Sequence, residues 1–181
     1  MNKLSIFVLC LVALLPFCFN AHGQVIRCET AFDVNIYNGT LNGLLPNASQ
    51  DSVTKIFPCL AQNVDSTEGA ITWESEGVYF DFTNQYIEID ADYTAKISVD
   101  ILNKHFQYAV AILGKPFIRD LPAEVEEQIV YYFYPTNYGC MRLNYDFNTG
   151  EVIAIAFHAK PIDEALKDIE REEYEDEDVD K

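Results

Sequence analysis

Basic residues are scarce in this chain. Its 181 residues include 12 lysines and arginines against 29 aspartates and glutamates, which gives a formal net charge of -17. Such a charge repels nucleic-acid phosphates and anionic lipid headgroups, so neither nucleic acid nor a bare membrane surface is expected as a partner. The charge favours a protein partner, and a basic one in particular, although acidity that merely keeps the chain soluble accounts for it equally well.

Methionine and tryptophan are also rare. The chain has 2 Met and 1 Trp but 11 Tyr and 12 Phe, and hydrophobic residues make up 49% of it. Tyrosine and phenylalanine are enriched in β-strands, so this composition favours a sheet-rich fold over a helical bundle. The length fits one medium domain or two small repeats that share a core.

A long apolar run occurs only at the start of the sequence. Lys3 gives a positive start, residues 4–19 are apolar, and Ala21-His22-Gly23 places small residues at the positions that a signal peptidase reads. The apolar run is shorter than the roughly 20 residues that span a bilayer. The sequence therefore predicts a signal peptide over residues 1–23, cleavage before Gln24, and an exported protein, periplasmic or extracellular, with no membrane span.

Cysteines are few once this leader is set aside. Cleavage would leave Cys28, Cys59 and Cys140, which allow one disulfide and one spare thiol in an oxidising compartment. Cys28 lies on the apolar face of a strand-like alternation, and Cys59 ends a helix-like segment. We predict a Cys28–Cys59 disulfide, with a pair that involves Cys140 as the alternative. A catalytic thiol is not expected, because no spacing links a histidine to a cysteine.

Two segments have the alternation of β-hairpins. In residues 77–89 apolar side chains alternate on both sides of a turn at residues 83–85, and in residues 131–157 they do so around a turn at residues 148–150. Successive side chains of a strand point to opposite faces, and Asn and Gly are favoured in the turns. Both segments are therefore predicted to be antiparallel hairpins.

A helical segment precedes each hairpin. Polar residues 47–52 can cap a short helix, in which apolar residues recur from Val53 to Leu60 at helical spacing. Residues 103–113 have an apolar face and are followed by Gly114-Lys115-Pro116, which is a helix stop. We expect both helices to pack on a sheet made by the hairpins.

Helix and hairpin thus occur twice in the same order, and Phe82 of the first hairpin corresponds to Phe147 of the second. We predict the α+β class, with short helices packed on an antiparallel sheet and a tandem repeat of a helix plus three or four strands. The two units span residues 24–92 and 93–160. Chance similarity between two amphipathic hairpins is the alternative.

The last segment, residues 161–181, is strongly acidic. Apolar residues from Ile162 to Ile169 recur at helical spacing and predict a further helix against the body. The acidic run at residues 172–180 offers almost nothing to bury and is predicted to be disordered. It could mimic a polyanion or occupy a basic partner's site, and solubility is the plainer explanation.

The second unit resembles a known exported repeat. A short helix that ends in Leu113-Gly114-Lys115-Pro116 is followed by three or four antiparallel strands that close on Phe147-Asn148-Thr149-Gly150-Glu151-Val152. This arrangement resembles the repeat of β-lactamase-inhibitor-like proteins, in which tandem copies occur, and that of the outer-membrane assembly lipoproteins of the small-protein-A group. The chain departs from the lipoproteins, because bulky Phe17 precedes Cys18 where lipidation needs a small residue, and no inhibitory loop residue can be matched. The resemblance covers most of residues 41–157 and implies a binding scaffold without catalysis.

One predicted strand is aromatic on both faces. Alternation sends Tyr131 and Phe133 one way and Tyr132 and Tyr134 the other. Exposed tyrosine is a favoured anchor of protein interfaces, so Tyr132, Tyr134 and Tyr138 are the predicted partner-contact residues. The alternative is a core closed on both faces by helices.

No catalytic motif stands out from this framework. His158 could act as a base or a metal ligand, but no second ligand lies at a recognisable spacing. Glu88, Asp90 and Asp92 lack the pattern of a calcium loop and are expected to form a solvated strand end, while Glu124, Glu126 and Glu127 could serve acid-base chemistry and are expected to lie in a solvated loop. The predicted function is an exported non-catalytic binding protein, as an inhibitor or an envelope interaction module, with a protein partner and no metal or cofactor. The alternative is a small secreted hydrolase that uses carboxylates or His158.

Overall fold

The structure is a computed structural model that describes residues 32–58, 72–75, 77–91, 93, 96–120 and 129–177. Within these ranges the chain forms strands and helices that confirm the predicted α+β class. The signal peptide of residues 1–23 lies outside the described residues and stays a prediction. In chain order the elements are β1 Asp33–Asn35, β2 Thr40–Leu41, α1 Gln50–Ile56, β3 Thr72–Ser75, β4 Val78–Asp81, β5 Tyr86–Asp90, β6 Lys96–Ile97, α2 Phe106–Leu113, β7 Ile118–Asp120, β8 Ile129–Pro135, β9 Cys140–Asp146, β10 Val152–His158 and α3 Ile162–Glu177.

Most strands belong to a seven-stranded antiparallel sheet with the order β3-β4-β5-β10-β9-β8-β7. Its two meanders adjoin at the centre, where β5 pairs with β10 and Ile89 lies opposite Ile155. A smaller sheet has the order β2-β1-β6, in which β1 and β6 are parallel. One sheet thus runs across both predicted units, and the tandem repeat and its bounds stay predictions.

Both predicted hairpins are confirmed, and polar side chains hold their turns. Asp146 Oδ1 accepts hydrogen bonds of 2.7 Å from the backbone N–H groups of both Asn148 and Thr149. These hydrogen bonds, of which the one from Thr149 has the largest effect, hold the pKa of Asp146 below its usual value. In the first turn Asp81 Oδ1 accepts from the Asn84 N–H at 2.6 Å. Local hydrogen bonding of this kind sets the register of the hairpins.

The helices begin at residues that can cap them. Ser49 is the N-cap of α1, where its side chain accepts from the backbone N–H of Ser52. Helix α2 begins at Phe106, later than predicted, because Asn103 adopts a φ of 57° and donates a hydrogen bond to the Ala91 carbonyl. Among the described residues, none of the helices combines the length and the apolar character needed to cross a bilayer.

Helix α3 extends into the acidic run. It continues to Glu177, so the prediction of disorder is wrong for residues 172–177, and residues 178–181 lie outside the described range. Glutamate and arginine have high intrinsic helix propensity, which favours continuation of the helix through this run. The predicted packing of its first turns is confirmed, since Ile162 and Ala165 are buried.

The seven-stranded sheet is covered on two faces. The first face packs against α1 and α2, and the second face packs against α3. The first face carries the main core, to which the sheet contributes Val78, Phe80, Ile87, Ile89, Val130, Tyr132, Tyr134, Met141, Leu143, Tyr145, Val152, Ile155 and Phe157. The second face has a small apolar cluster that includes Phe133 and Cys140, and beside it stand buried polar residues Arg142, Asn144 and His158.

Candidate functional site

The predicted partner-contact tyrosines on β8 are buried. Tyr132 and Tyr134 are only 5% and 7% exposed, so the premise that these rings face solvent is wrong. They lie on the first face beside α2, where the Tyr132 ring centroid is 5.7 Å from that of Phe106 and the Tyr134 hydroxyl donates to the Gly114 carbonyl at 3.3 Å. Burial raises the pKa of Tyr134 to about 12. Partner contact by these residues stays a prediction that their burial does not support.

Tyr138, the third predicted contact residue, is half-buried. Its ring meets the Phe157 ring edge-on, with centroids 6.1 Å apart. A Cβ added to Gly39 would lie 2.2 Å from this ring, so the tyrosine packs directly on the backbone of the turn after β1. The ring therefore joins the small sheet to the main core.

The predicted disulfide partners, Cys28 and Cys59, lie outside the described residues, and their pairing stays a prediction. Cys140 is described as a free, buried thiol on the second face. Burial raises its pKa to about 12, which leaves the sulfur protonated at neutral pH. A buried neutral thiol is a poor nucleophile. No spacing in the sequence linked a histidine to a cysteine, but the structure places His158 opposite Cys140 on the neighbouring strand.

His158 is buried where a hydrolase would need an exposed base. Its side chain is 2% exposed, its ring centroid is 5.2 Å from that of Tyr86, and within the described residues neither ring nitrogen has a hydrogen-bond partner. Burial first, and then the charges of Arg142 and Lys160, lower its pKa well below the usual value. A general base must reach the proton that it abstracts, and this geometry does not offer that reach.

The carboxylates proposed from sequence do not converge in the part of the chain that is described. Glu88 is paired with Arg142 at 2.5 Å, while Asp92 and residues 124–127 lie outside the described ranges. Among the residues that are described, no group of three or more His, Cys, Asp or Glu side chains is placed to hold a metal ion. The described sheet face therefore offers no support for the calcium or hydrolase alternative.

Large apolar side chains are instead exposed around α2. Tyr108 and Ile112 lie one helical turn apart on its outward side, and they are 50% and 38% exposed. Phe117, just beyond the helix, is 71% exposed, and Phe147, in the turn between β9 and β10, is 60% exposed. We call these four residues the α2 edge. The other large apolar side chains exposed within the described residues are Tyr37 and Leu45.

The turn that carries Phe147 is fastened to the start of α2. The Phe106 N–H donates to the Gly150 carbonyl at 2.8 Å, and residues His105 and Glu151 form a β-bridge. Gly150 has a φ of 70°, and a Cβ there would lie 2.8 Å from His105 Nε2. Turn and helix therefore form one continuous support for the α2 edge.

The sequence contained a signal for this surface. Helix α2 buries Ala109 and half-buries Phe106 and Leu113, which satisfies its core-facing side. Tyr108 and Ile112 add apolar residues on the opposite side. A helix with apolar side chains on all sides is expected to be buried. The exposed apolar side of α2 therefore indicates a surface that binds another molecule.

Comparison with known proteins gives no relative from which to transfer a function. The chain matches no protein-family model, no curated protein sequence and no solved structure. Function is therefore inferred from the residues and their geometry.

Proposed function

We propose that this chain is an exported, non-catalytic binding protein that holds a protein partner through the α2 edge. The observation that carries the proposal is the exposure of four large apolar side chains on α2 and on the segments next to its two ends: Tyr108, Ile112, Phe117 and Phe147 are all at least 38% exposed. Apolar patches of this kind on a soluble protein mark interaction sites. Aromatic side chains are enriched at the energetic centres of such interfaces.

The scaffold behind the α2 edge is well ordered by local bonds. Gly114 closes α2 with a φ of 89°, and its N–H donates to the Val110 carbonyl. The Tyr134 hydroxyl bonds the Gly114 carbonyl, and Asp146 fixes the turn that carries Phe147. A preorganised surface loses little conformational entropy when it binds, which favours affinity.

The partner is proposed to be a basic protein. The net charge of -17 would attract a cationic partner over long range and speed its association. If the charge serves this purpose, the association rate constant will fall steeply as salt is raised, and the dissociation rate will change little. A rate that is insensitive to salt would assign the acidity to solubility alone.

The role as an inhibitor or an envelope interaction module is proposed from the resemblance to the exported inhibitor-like repeat. Export itself is proposed from the leader sequence. Intact mass measurement of the protein recovered outside the cytoplasm tests it, and a mature chain that begins at Gln24 is the expected result. A full-length chain that stays in the cytoplasm would contradict the proposal.

The test of the α2 edge is the double substitution Tyr108→Gln and Ile112→Gln. Glutamine keeps helix propensity, and surface changes of this kind alter the free energy of unfolding by no more than about 0.5 kcal/mol. We expect the amount of partner retained from an extract of exported proteins to fall at least about tenfold, which is the loss of binding that removal of one interface anchor causes. Quantitative mass spectrometry of the retained proteins measures this, followed by calorimetry with the purified partner.

Tyr37→Gln provides the matched control, because Tyr37 is 63% exposed but lies next to β1, away from α2 in sequence. A protein retained by the wild type and by this control, and lost by the double variant, supports the proposal. Equal retention by all three forms would contradict it.

A further inference from the structure

Over residues 162–169, helix α3 is held to the second face by a small contact. Ile162 and Ala165 are buried in the cluster that contains Cys140, and Leu166 and Ile169 are half-buried. An ion pair of 2.5 Å from Lys160 Nζ to Asp168 Oδ2 joins the helix to the segment before it. A contact of this size allows a helix to open without unfolding of the whole protein.

His158 ends β10 and leads into α3. Its partner on the neighbouring strand β9 is Cys140, and α3 packs against that cysteine. The backbone of residues 158–160 rests on Gly139, where an added Cβ would lie 2.2 Å from the His158 carbonyl oxygen. The ring is buried on the second face, beside the cysteine that α3 covers, so we expect it to gain water when this face is uncovered.

The groups around His158 disfavour a proton on it. Arg142 on β9 and Lys160 before α3 both repel the imidazolium form. The ring neighbours Tyr86 and Cys140 belong to residue types that carry no charge near neutral pH. Among the carboxylates whose side chains are described on the adjoining elements, Asp81 bonds Asn84, Asp90 is half-buried, Glu88 pairs with Arg142, Asp168 pairs with Lys160, and Asp163 and Glu164 are exposed on the first turn of α3.

We infer that α3 is a pH-sensitive lid, which opens when His158 binds a proton and then uncovers Cys140 and the apolar side chains beside it. In the closed state the proton would add a third positive charge beside Arg142 and Lys160 in a buried site. In the open state the ring is hydrated and titrates normally. This device is independent of the α2 edge and goes beyond the proposed binding function.

The sign of the pH effect follows from the buried, neutral ring. Its pKa in the closed state lies below the value of about 6.5 that it has when solvated, so the closed state has its full stability above about pH 6.5. Stability is lost as the pH falls below that value. The equilibrium constant for opening then rises by at most about tenfold for each pH unit, and by at most about fifteenfold between pH 6.5 and 5, because half of the open-state rings are already protonated at pH 6.5.

Amide hydrogen exchange of the full mature chain tests the inference. After correction for the intrinsic pH dependence of exchange, the protection of residues 165–169 is expected to fall by up to about fifteenfold between pH 6.5 and 5, by the same linkage. Protection in β9 and β10 is expected to stay constant over this range. An equal loss of protection in strands and helix would mean global unfolding and would overturn the lid.

Two substitutions test whether the His158 ring causes the pH dependence of α3 protection. His158→Phe keeps a ring of similar size and removes the titration, so the protection of α3 should become independent of pH. His105→Asn removes the other described histidine and keeps an N-cap residue for α2, so the pH dependence should persist. A persistent pH dependence in the first variant, or its loss in the second, would overturn the assignment.

Cys140 gives a second readout that does not require the His158 variant to fold. A pyridyl disulfide reacts with thiols at acidic pH, and peptide mapping locates the modified cysteine. The labelling rate of Cys140 in the wild type, divided by its rate in denaturant at the same pH, should rise by up to about fifteenfold between pH 6.5 and 5. A constant ratio would show that α3 stays closed and would refute the lid.

Discussion

Replacing Glu88 by leucine is expected to lower the free energy of unfolding by about 3 kcal/mol, because a buried ion pair that loses one partner leaves the other charge uncompensated. The Arg142 and Glu88 side chains are 9% and 26% exposed, and Arg142 Nη2 lies 2.5 Å from Glu88 Oε2. Without the carboxylate the guanidinium keeps the Tyr131 ring, whose centroid is 5.1 Å from Arg142 Cζ, but Arg142 Nε has no hydrogen-bond partner within the described residues. Urea denaturation at neutral pH measures the change.

The double variant Glu88→Leu with Arg142→Met should recover most of this loss. A buried ion pair replaced by apolar side chains of similar volume is often neutral in stability, because the desolvation of both charges is avoided. The matched control is Asp100→Asn, which removes one partner of the exposed Lys104–Asp100 pair and should cost less than about 1 kcal/mol. The destabilisation of the double variant is compared with the sum of those of Glu88→Leu and Arg142→Met, each measured alone. Equality of the two values would contradict this account of the pair.

The register of the sheet explains why this pair forms. Ala156 on β10 lies opposite Glu88 on one side and opposite Arg142 on the other. The small alanine leaves room for two long side chains to meet above it. Sequence reasoning treated Glu88 as a solvated strand end, since the pairing of β5 with β10 joins residues more than 60 positions apart and no local pattern encodes it.

Features that depend on neighbouring residues were predictable. The two hairpins, the Ser49 cap of α1 and the stop of α2 at Gly114 follow from alternation, capping and glycine conformation, and each acts within a few residues. The separate sheet formed by β1, β2 and β6 was not predicted, because β1 and β6 pair in parallel across more than 60 residues. Long-range pairing is decided by packing, which a single sequence does not display.

In the candidate site, too, local features were predictable from the sequence and long-range contacts were not. Alternation correctly placed Tyr132 and Tyr134 on one side of β8, but it could not say that α2 covers them. Burial of a sheet face depends on which helix crosses it. The apolar outward side of α2 was visible as Tyr108 and Ile112, and it gained meaning only once the inner side was shown to satisfy the core.

Gly139→Ala is expected to destabilise the protein by about 3 kcal/mol, through overpacking and backbone strain together. Gly139 has a φ of 143°, which side-chain-bearing residues rarely adopt. Its added Cβ would lie 2.2 Å from the His158 carbonyl oxygen, 2.7 Å from the Ala159 carbonyl carbon and 2.8 Å from the Lys160 oxygen. All three are backbone atoms of the segment that leads into α3, so no rotation of a side chain can relieve the overlap.

Gly43→Ala separates the two contributions, because Gly43 has a φ of 80° but nothing within 4 Å of an added Cβ. It should cost only the left-handed strain of about 1 kcal/mol. Denaturation curves of both variants, monitored by far-ultraviolet circular dichroism, give the comparison. If Gly139→Ala costs no more than Gly43→Ala, the segment before α3 is not pressed against β9 as described. A larger cost, together with faster labelling of Cys140, would show that this close backbone contact is what seats α3 on the second face.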